Sequence, residues 1–385
     1  MQEQEEKQNQ HYVPKNYFKG FSNDETSICT LIARNGIIKP TVSYSTQSSK
    51  DNFYGSKARE DEITEFDTKY FNNRIEVLDA LVEQGATELS PSQLDILLEN
   101  TQFQRERTLT SRNTEQGVRD FHKEFFAPQV DDLLNYDSGH SPEATEASND
   151  AMRMIFESFS DPKDTQYIKL MQIEKNKGEV SDLELIILRN RTAYPFIFSD
   201  SPVAYTNPAL SDYKCSKLGN TNVGLQIFYP LTPEFLAFFY DSEAYQIDQL
   251  PGGSVVLDIT SDDDVRQINK LQIHEAANSI YFGRAEDSGY VDILWQEEKP
   301  RLERKSKTVA SVNQLSMDGY VTGRKSYAIS ESEPTFYPTL SFVTTNDLSN
   351  SYLPFRSSHW RKILPEGAEI ERLNDLIDRH SHSKS

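Results

Sequence analysis

The chain has 385 residues, with 60 Asp and Glu against 40 Lys and Arg, for a formal net charge of −20 at pH 7. That balance disfavours non-specific nucleic-acid binding, because neutralising phosphates takes clustered Lys and Arg. Its two cysteines, Cys29 and Cys215, are too few for a disulfide framework or a Cys-built zinc site, and no apolar run approaches the ~20 residues of a membrane helix.

Only 36% of the residues are hydrophobic, yet 19 Tyr and 21 Phe supply enough buriable surface to argue against global disorder. Residues 1–10 are polar, lack the apolar core of a signal peptide and read as a mobile leader. The expectation is a soluble, cytoplasmic protein that does not enter membranes.

After the leader, residues 11–21 pack His11, Pro14 and the aromatics Tyr12, Tyr17, Phe18 and Phe21 into one short segment. Apolar runs at 28–31 and 37–43 flank Asn35-Gly36, a strong hairpin signal because Asn and Gly tolerate positive φ. From Glu60 to Val82 the apolar residues Ile63, Phe66, Tyr70, Ile75, Leu78 and Leu81 recur at helical spacing. A second helix opens with Ser90 as N-cap, Pro91 at the first helical position and Gln93 completing a capping box, and extends toward Thr108. A third helix is expected over 115–135, a loop over 135–149, and further helical pattern over 151–159 and 165–174.

Beyond Gly178 the texture turns to strands, at 183–188, 194–198, 225–229, 235–240 and 254–259. Asp262, Asp263 and Asp264 then start a long helix carrying Val265, Ile268, Leu271, Ala276 and Ile280. Residues after Trp295 read as less regular, with a last helix over 366–379 and a frayed tail. The fold class is α+β: an N-terminal β-hairpin, a central helical region, and a C-terminal half with an antiparallel or mixed sheet and one long helix. The domain reading is a leader at 1–10, a main domain at 11–283 and an extension at 284–385.

Several short motifs in this order resemble the domain of unknown function 4238 family. They are His11-Tyr12-Val13-Pro14 with Gly20-Phe21, Phe53-Tyr54-Gly55, the acidic pair Glu60 and Asp67, and Gln104 with Arg107-Thr108. Ser199-Asp200-Ser201-Pro202 and Pro230-Leu231-Thr232-Pro233 complete the series. Asp67 stands where the family pattern more often has Glu. The resemblance implies a shared fold over 11–283 and no settled activity.

The phosphate loop Gly-x-x-x-x-Gly-Lys-Ser/Thr, Gly-x-Gly-x-x-Gly, His-Glu-x-x-His and Gly-x-Ser-x-Gly are absent from the sequence. The remaining candidates are scattered polar residues. His11 could ligate a metal or carry a proton, or bond a backbone carbonyl ahead of Pro14. Glu60 and Asp67 share a helix face but stand ~10 Å apart along its axis; with Glu62 and Glu65 they also read as a solvated first turn. Gln104 and Arg107, at i and i+3, could cross-link the two helices through a carboxylate or clamp an anion. Asp200, at a strand end, could enter a cleft or simply form the turn.

Two classes of function follow. One is a metal-dependent hydrolase acting on a phosphate ester or nucleic acid through His11, Glu60, Asp67, Gln104, Arg107 and Asp200. A divalent metal would then be the cofactor, with His11, Glu60, Asp67 and Asp200 as its ligands. The other is a non-catalytic binding or interaction scaffold whose acidic surface meets a basic protein partner.

Overall fold

The computed structural model describes residues 9–82, 85–121, 161–212, 217–252, 254–302, 309–317, 320–330, 336–348 and 355–359. In chain order, β1 (Asn9–His11) leads into α1 (Lys15–Lys19), β2 (Ser27–Ile32) and β3 (Ile37–Ser43) form the hairpin, and β4 (Ser49–Asp51) returns to β1. The helical region is α2 (Lys57–Val82), α3 (Pro91–Glu106), α4 (Leu109–Phe121), α5 (Pro162–Met171) and the short α6 (Ile173–Asn176). There follow β5 (Glu184–Asn190), β6 (Phe198–Ser199), β7 (Ala204–Thr206), β8 (Gln226–Pro230), β9 (Phe235–Tyr240), β10 (Tyr245–Ile247) and β11 (Val256–Ile259). The remainder is α7 (Asp262–Glu275), β12 (Ser279–Phe282), α8 (Ser288–Leu302), β13 (Val309–Met317), β14 (Tyr320–Ser330) and β15 (Val343–Thr345).

The fold is α+β. A five-stranded mixed sheet runs in the order β11-β5-β9-β8-β7, with only β11 and β5 parallel. Every residue of β8 and β9 is buried, so these strands read as continuous apolar runs. A four-stranded antiparallel sheet, β3-β2-β12-β6, joins the N-terminal hairpin to a strand from beyond residue 278. One core cluster contains Tyr17, Phe18 and Phe21 together with Phe198, Tyr281, Tyr229 and residues of α2 and α3, which ties both sheets to the aromatic N-terminal segment.

Several expectations meet local physical detail. The capping box of α3 is complete: Ser90 Oγ accepts the Gln93 N–H at 3.3 Å, and Gln93 Oε1 accepts the Ser90 N–H at 2.9 Å. In the hairpin turn only Gly36 takes positive φ, +72°, and the Trp295 ring lies where its Cβ would stand. On α2 the buried stripe passes through Arg74 and Val77, leaving Ile75 40% exposed.

Other expectations shift. Asn9 and Gln10, placed in a mobile leader by their polarity, form β1 with His11 and pair with β4. The third helix starts at Leu109, not 115, and is described to Phe121; its expected continuation to 135, the loop at 135–149 and the helix at 151–159 lie outside the described residues. The strand expected over 194–198 is confined to Phe198–Ser199. Upstream, α7 side chains replace a neighbouring strand: Asn269 Nδ2 donates to the Pro195 carbonyl at 2.8 Å, and its Oδ1 accepts the Ile197 N–H at 3.0 Å.

The long helix α7 stops at Glu275, and Ile280 belongs to β12 instead. The Asp200 carboxylate accepts the N–H groups of Ala277 and Asn278, at 2.8 and 2.9 Å, and so draws the chain out of the helix. Past residue 283 the chain is more regular than its composition suggests. Helix α8 packs Trp295 under the hairpin, with its Nε1 donating to the Ala33 carbonyl at 2.9 Å, and β13 pairs with β14. The expected helix at 366–379 lies outside the described residues. Among the described residues no helix is long and apolar enough to cross a membrane. Cys29 is buried; Cys215 lies outside the described residues.

Candidate functional site

Pairing of β1 with β4 sets His11 opposite Ser49 and brings Tyr12 beneath the Ser48 carbonyl, which accepts the Tyr12 N–H at 2.9 Å. Pro14 then precedes α1, which carries Tyr17 and Phe18 into the core. Two polar clusters grow from this segment.

The first is centred on Arg107, only 2% exposed at the C-terminus of α3. Its Nη2 donates to the His11 carbonyl at 2.8 Å, its Nε to the Tyr54 hydroxyl at 3.1 Å, and its Nη1 to Asp67. Tyr54 donates in turn to the same His11 carbonyl at 3.1 Å. One turn earlier, Gln104 Nε2 donates to the Tyr12 carbonyl at 3.1 Å. Burial opposes the Arg107 charge, but Asp67 and Tyr54 outweigh it and hold the guanidinium above the usual arginine range. The helix thus ties down the backbone of His11 and Tyr12 through charge-assisted bonds.

His11 presents its backbone, not its ring, to this cluster. The ring Nε2 lies 2.9 Å from the Ser45 carbonyl. Desolvation, helped by Lys15, pulls the imidazole pKa down to about 4, so the ring is neutral at pH 7 and Nε2 is the protonated, donating nitrogen. Glu60 does not join Asp67; its Oε2 accepts from Gln10 Nε2 at 3.3 Å, while Gln10 Oε1 accepts the Tyr54 N–H at 2.6 Å. Asp61, Glu62 and Glu65 are exposed.

The second cluster surrounds Asp200, fully buried after β6. Burial raises its pKa to about 6, against the opposing effect of backbone N–H donors around Ala277 and Asn278. The Tyr12 phenol lies within its electrostatic reach and close to Asn278 and Ser48; burial and Asp200 both push that phenol up. Ser48 Oγ is 3.1 Å from the Tyr281 hydroxyl, whose titration feels Asp200 as well. Ser48 holds a left-handed φ of +45°, a conformation that costs a non-glycine residue about 1 kcal/mol or more.

Against this second cluster opens a cavity of about 310 Å³, within the size range of small-ligand sites. Thr30, Arg34, Lys39, Gln47, Asn278 and Ser279 supply its polar wall. Thr30 sits in register between Lys39 of β3 and Tyr281 of β12, is 3% exposed, and its Oγ1 has no hydrogen-bond partner.

The structure therefore brings His11, Asp67, Gln104 and Arg107 together through backbone and ion-pair contacts, places Glu60 beside Gln10, and sets Asp200 in the separate cluster. The expected metal centre of His11, Glu60, Asp67 and Asp200 is not assembled: these side chains face Ser45, Gln10, Arg107 and the Ala277–Asn278 backbone, respectively. Among the described residues no three His, Cys, Asp or Glu side chains are grouped to hold a metal ion.

Tyr12 joins both clusters, its carbonyl on Gln104 and its phenol beside Asp200; its place inside the His-Tyr-Val-Pro motif was the only sequence signal for it. Gln10, Ser48, Tyr281 and Thr30 carried none. The Gly20 of the motif answers a different need. Its φ of −66° is open to any residue, but a Cβ there would stand 2.0 Å from Nη2 of the buried Arg74.

Comparison with curated proteins and with solved structures returned no match. The family model described as "Protein of unknown function (DUF4238)" matches residues 9–286, and with well over half its length inside that match, the chain belongs to this family.

Proposed function

We propose that this protein is a non-catalytic binding protein. Its motif residues frame a small-ligand cavity between the hairpin and β12. One observation carries the reading. The polar atoms of Gln104, Arg107, Asp67 and Asp200 are committed to backbone groups, to the Tyr54 hydroxyl or to one another, whereas the neighbouring cavity is walled by the exposed cations Arg34 and Lys39 and by Thr30, whose hydroxyl has no partner. A catalytic group needs access to a reacting atom. Arg107 and Asp200 are sealed from solvent.

A thermal-shift panel of anionic, neutral and cationic small molecules tests this reading. At least one class should raise the melting temperature of the wild-type chain and not that of Gln47→Trp, which fills the cavity from a half-buried wall position. If no class does so, the reading fails. A basic protein partner for the acidic surface is a compatible extension of the same binding role.

A further inference from the structure

The cavity wall holds two cations and no acid, in a chain where acidic residues outnumber basic ones by 60 to 40. Arg34 and Lys39 flank it, both exposed and neither in an ion pair among the described residues. Directly across the strand pair from Lys39 lies Thr30, also on the cavity wall, whose buried hydroxyl is unpartnered. An unsatisfied buried hydroxyl is costly unless something in the functional state completes it. Asp200 stands behind the wall, with both carboxylate oxygens occupied by the Ala277 and Asn278 N–H groups.

Resting on the binding role proposed above, we infer that the cavity takes a small phosphate-type dianion, either free phosphate or a phosphomonoester. Arg34 and Lys39 supply the charge, and the Thr30 hydroxyl donates to one of its oxygens. Arg presents a planar fork that matches an oxyanion, and Lys adds a compact point charge. A neutral ligand would leave both cations unanswered, and a cationic one would be repelled by them. The volume of about 310 Å³ accommodates a phosphate with a short organic group.

The test is calorimetric titration of the full chain with inorganic phosphate and, separately, with glycerol phosphate, at low ionic strength. At least one ligand should bind saturably, and tighter binding of glycerol phosphate would identify a phosphomonoester as the occupant. Arg34→Ala and Lys39→Ala should each weaken binding about tenfold with the melting temperature unchanged, since both side chains are exposed. Thr30→Val, near-isosteric and free of the orphan hydroxyl, should weaken binding without lowering stability. Absence of saturable binding by both anions, or binding indifferent to Arg34 and Lys39, overturns the inference. If neither anion binds but a neutral or cationic compound stabilises the wild type and not Gln47→Trp, the phosphate assignment falls and the binding role stands. If nothing binds, both fall.

Discussion

At Arg107 all three guanidinium nitrogens drawn into the core have acceptors, whereas at Thr30, on the neighbouring sheet, a buried hydroxyl has none and two flanking cations face solvent. Both regions hang on the same short N-terminal segment, the first through the carbonyls of His11 and Tyr12, the second through the Tyr12 phenol. The contrast separates polar residues that build from polar residues that bind. A satisfied buried network rigidifies its surroundings and offers nothing to a ligand. Polar groups left open keep their bonding capacity for one.

The comparison can be broken most forcefully at Arg107. Arg107→Ala leaves the half-buried Asp67 without its cation and removes the bonds to the His11 carbonyl and the Tyr54 hydroxyl, which should cost about 3–5 kcal/mol in urea unfolding. A loss below 1 kcal/mol would show that the cluster does not hold the segment. Gly20→Ala should follow, at about 1–3 kcal/mol, because the new methyl overlaps the Arg74 guanidinium and the core must shift. In Gly20→Ala combined with Arg74→Ala, the glycine substitution should become nearly harmless; additivity of the two would refute the steric account.

Asp200 offers a pH-resolved test. Its folded-state pKa, about 6, lies above the unfolded value, so the native state binds the proton more tightly. The stability this group contributes is full below about pH 4 and lost as pH rises through about 6. Stability measured from pH 4 to 7 should carry this falling component in the wild type and lack it in Asp200→Asn. Tyr12→Phe comes next, removing the hydroxyl that lies near Ser48, Asn278 and Asp200, at about 1 kcal/mol, while keeping the ring packing.

The smallest expected effect is at His11. A folded pKa depressed to about 4 gives a contribution present above the unfolded pKa near 6.5 and lost as pH falls toward 4, the opposite sign to Asp200. His11→Asn should weaken this acid-side loss and leave stability between pH 7 and 8 almost unchanged. A large loss at pH 7 would mean that the ring, and not the carbonyl, is the anchoring group.

Much of the architecture was legible in the sequence where local physics decides it. The Ser90–Gln93 capping box, the fully apolar β9 and the Asn35-Gly36 turn each carry their own signal. Elements failed where distant side chains take over backbone bonding. Asn269 replaces a strand partner for residues 195–197, and Asp200 ends α7, and neither effect is visible within a local window. The motif residues were likewise identifiable, and Arg107 with Asp67 forms the helix cross-link that was one of its two readings. Their grouping was not: His11 enters through its carbonyl, an atom every residue has, so residue type pointed to the ring instead. Thr30 and Lys39 gave no signal at all, because a β-strand threonine beside a lysine is ordinary until the sheet brings β12 alongside.

The division between building and binding is tested most directly by one titration series. Inorganic phosphate or glycerol phosphate is titrated calorimetrically into the wild type, the Arg34→Ala/Lys39→Ala double variant and Asp67→Asn, with the melting temperature of each protein recorded alongside. The account predicts that the double variant loses the anion at an unchanged melting temperature, while Asp67→Asn melts lower and still binds. If Asp67→Asn loses the ligand at full stability, or the double variant binds as the wild type does, the division is contradicted.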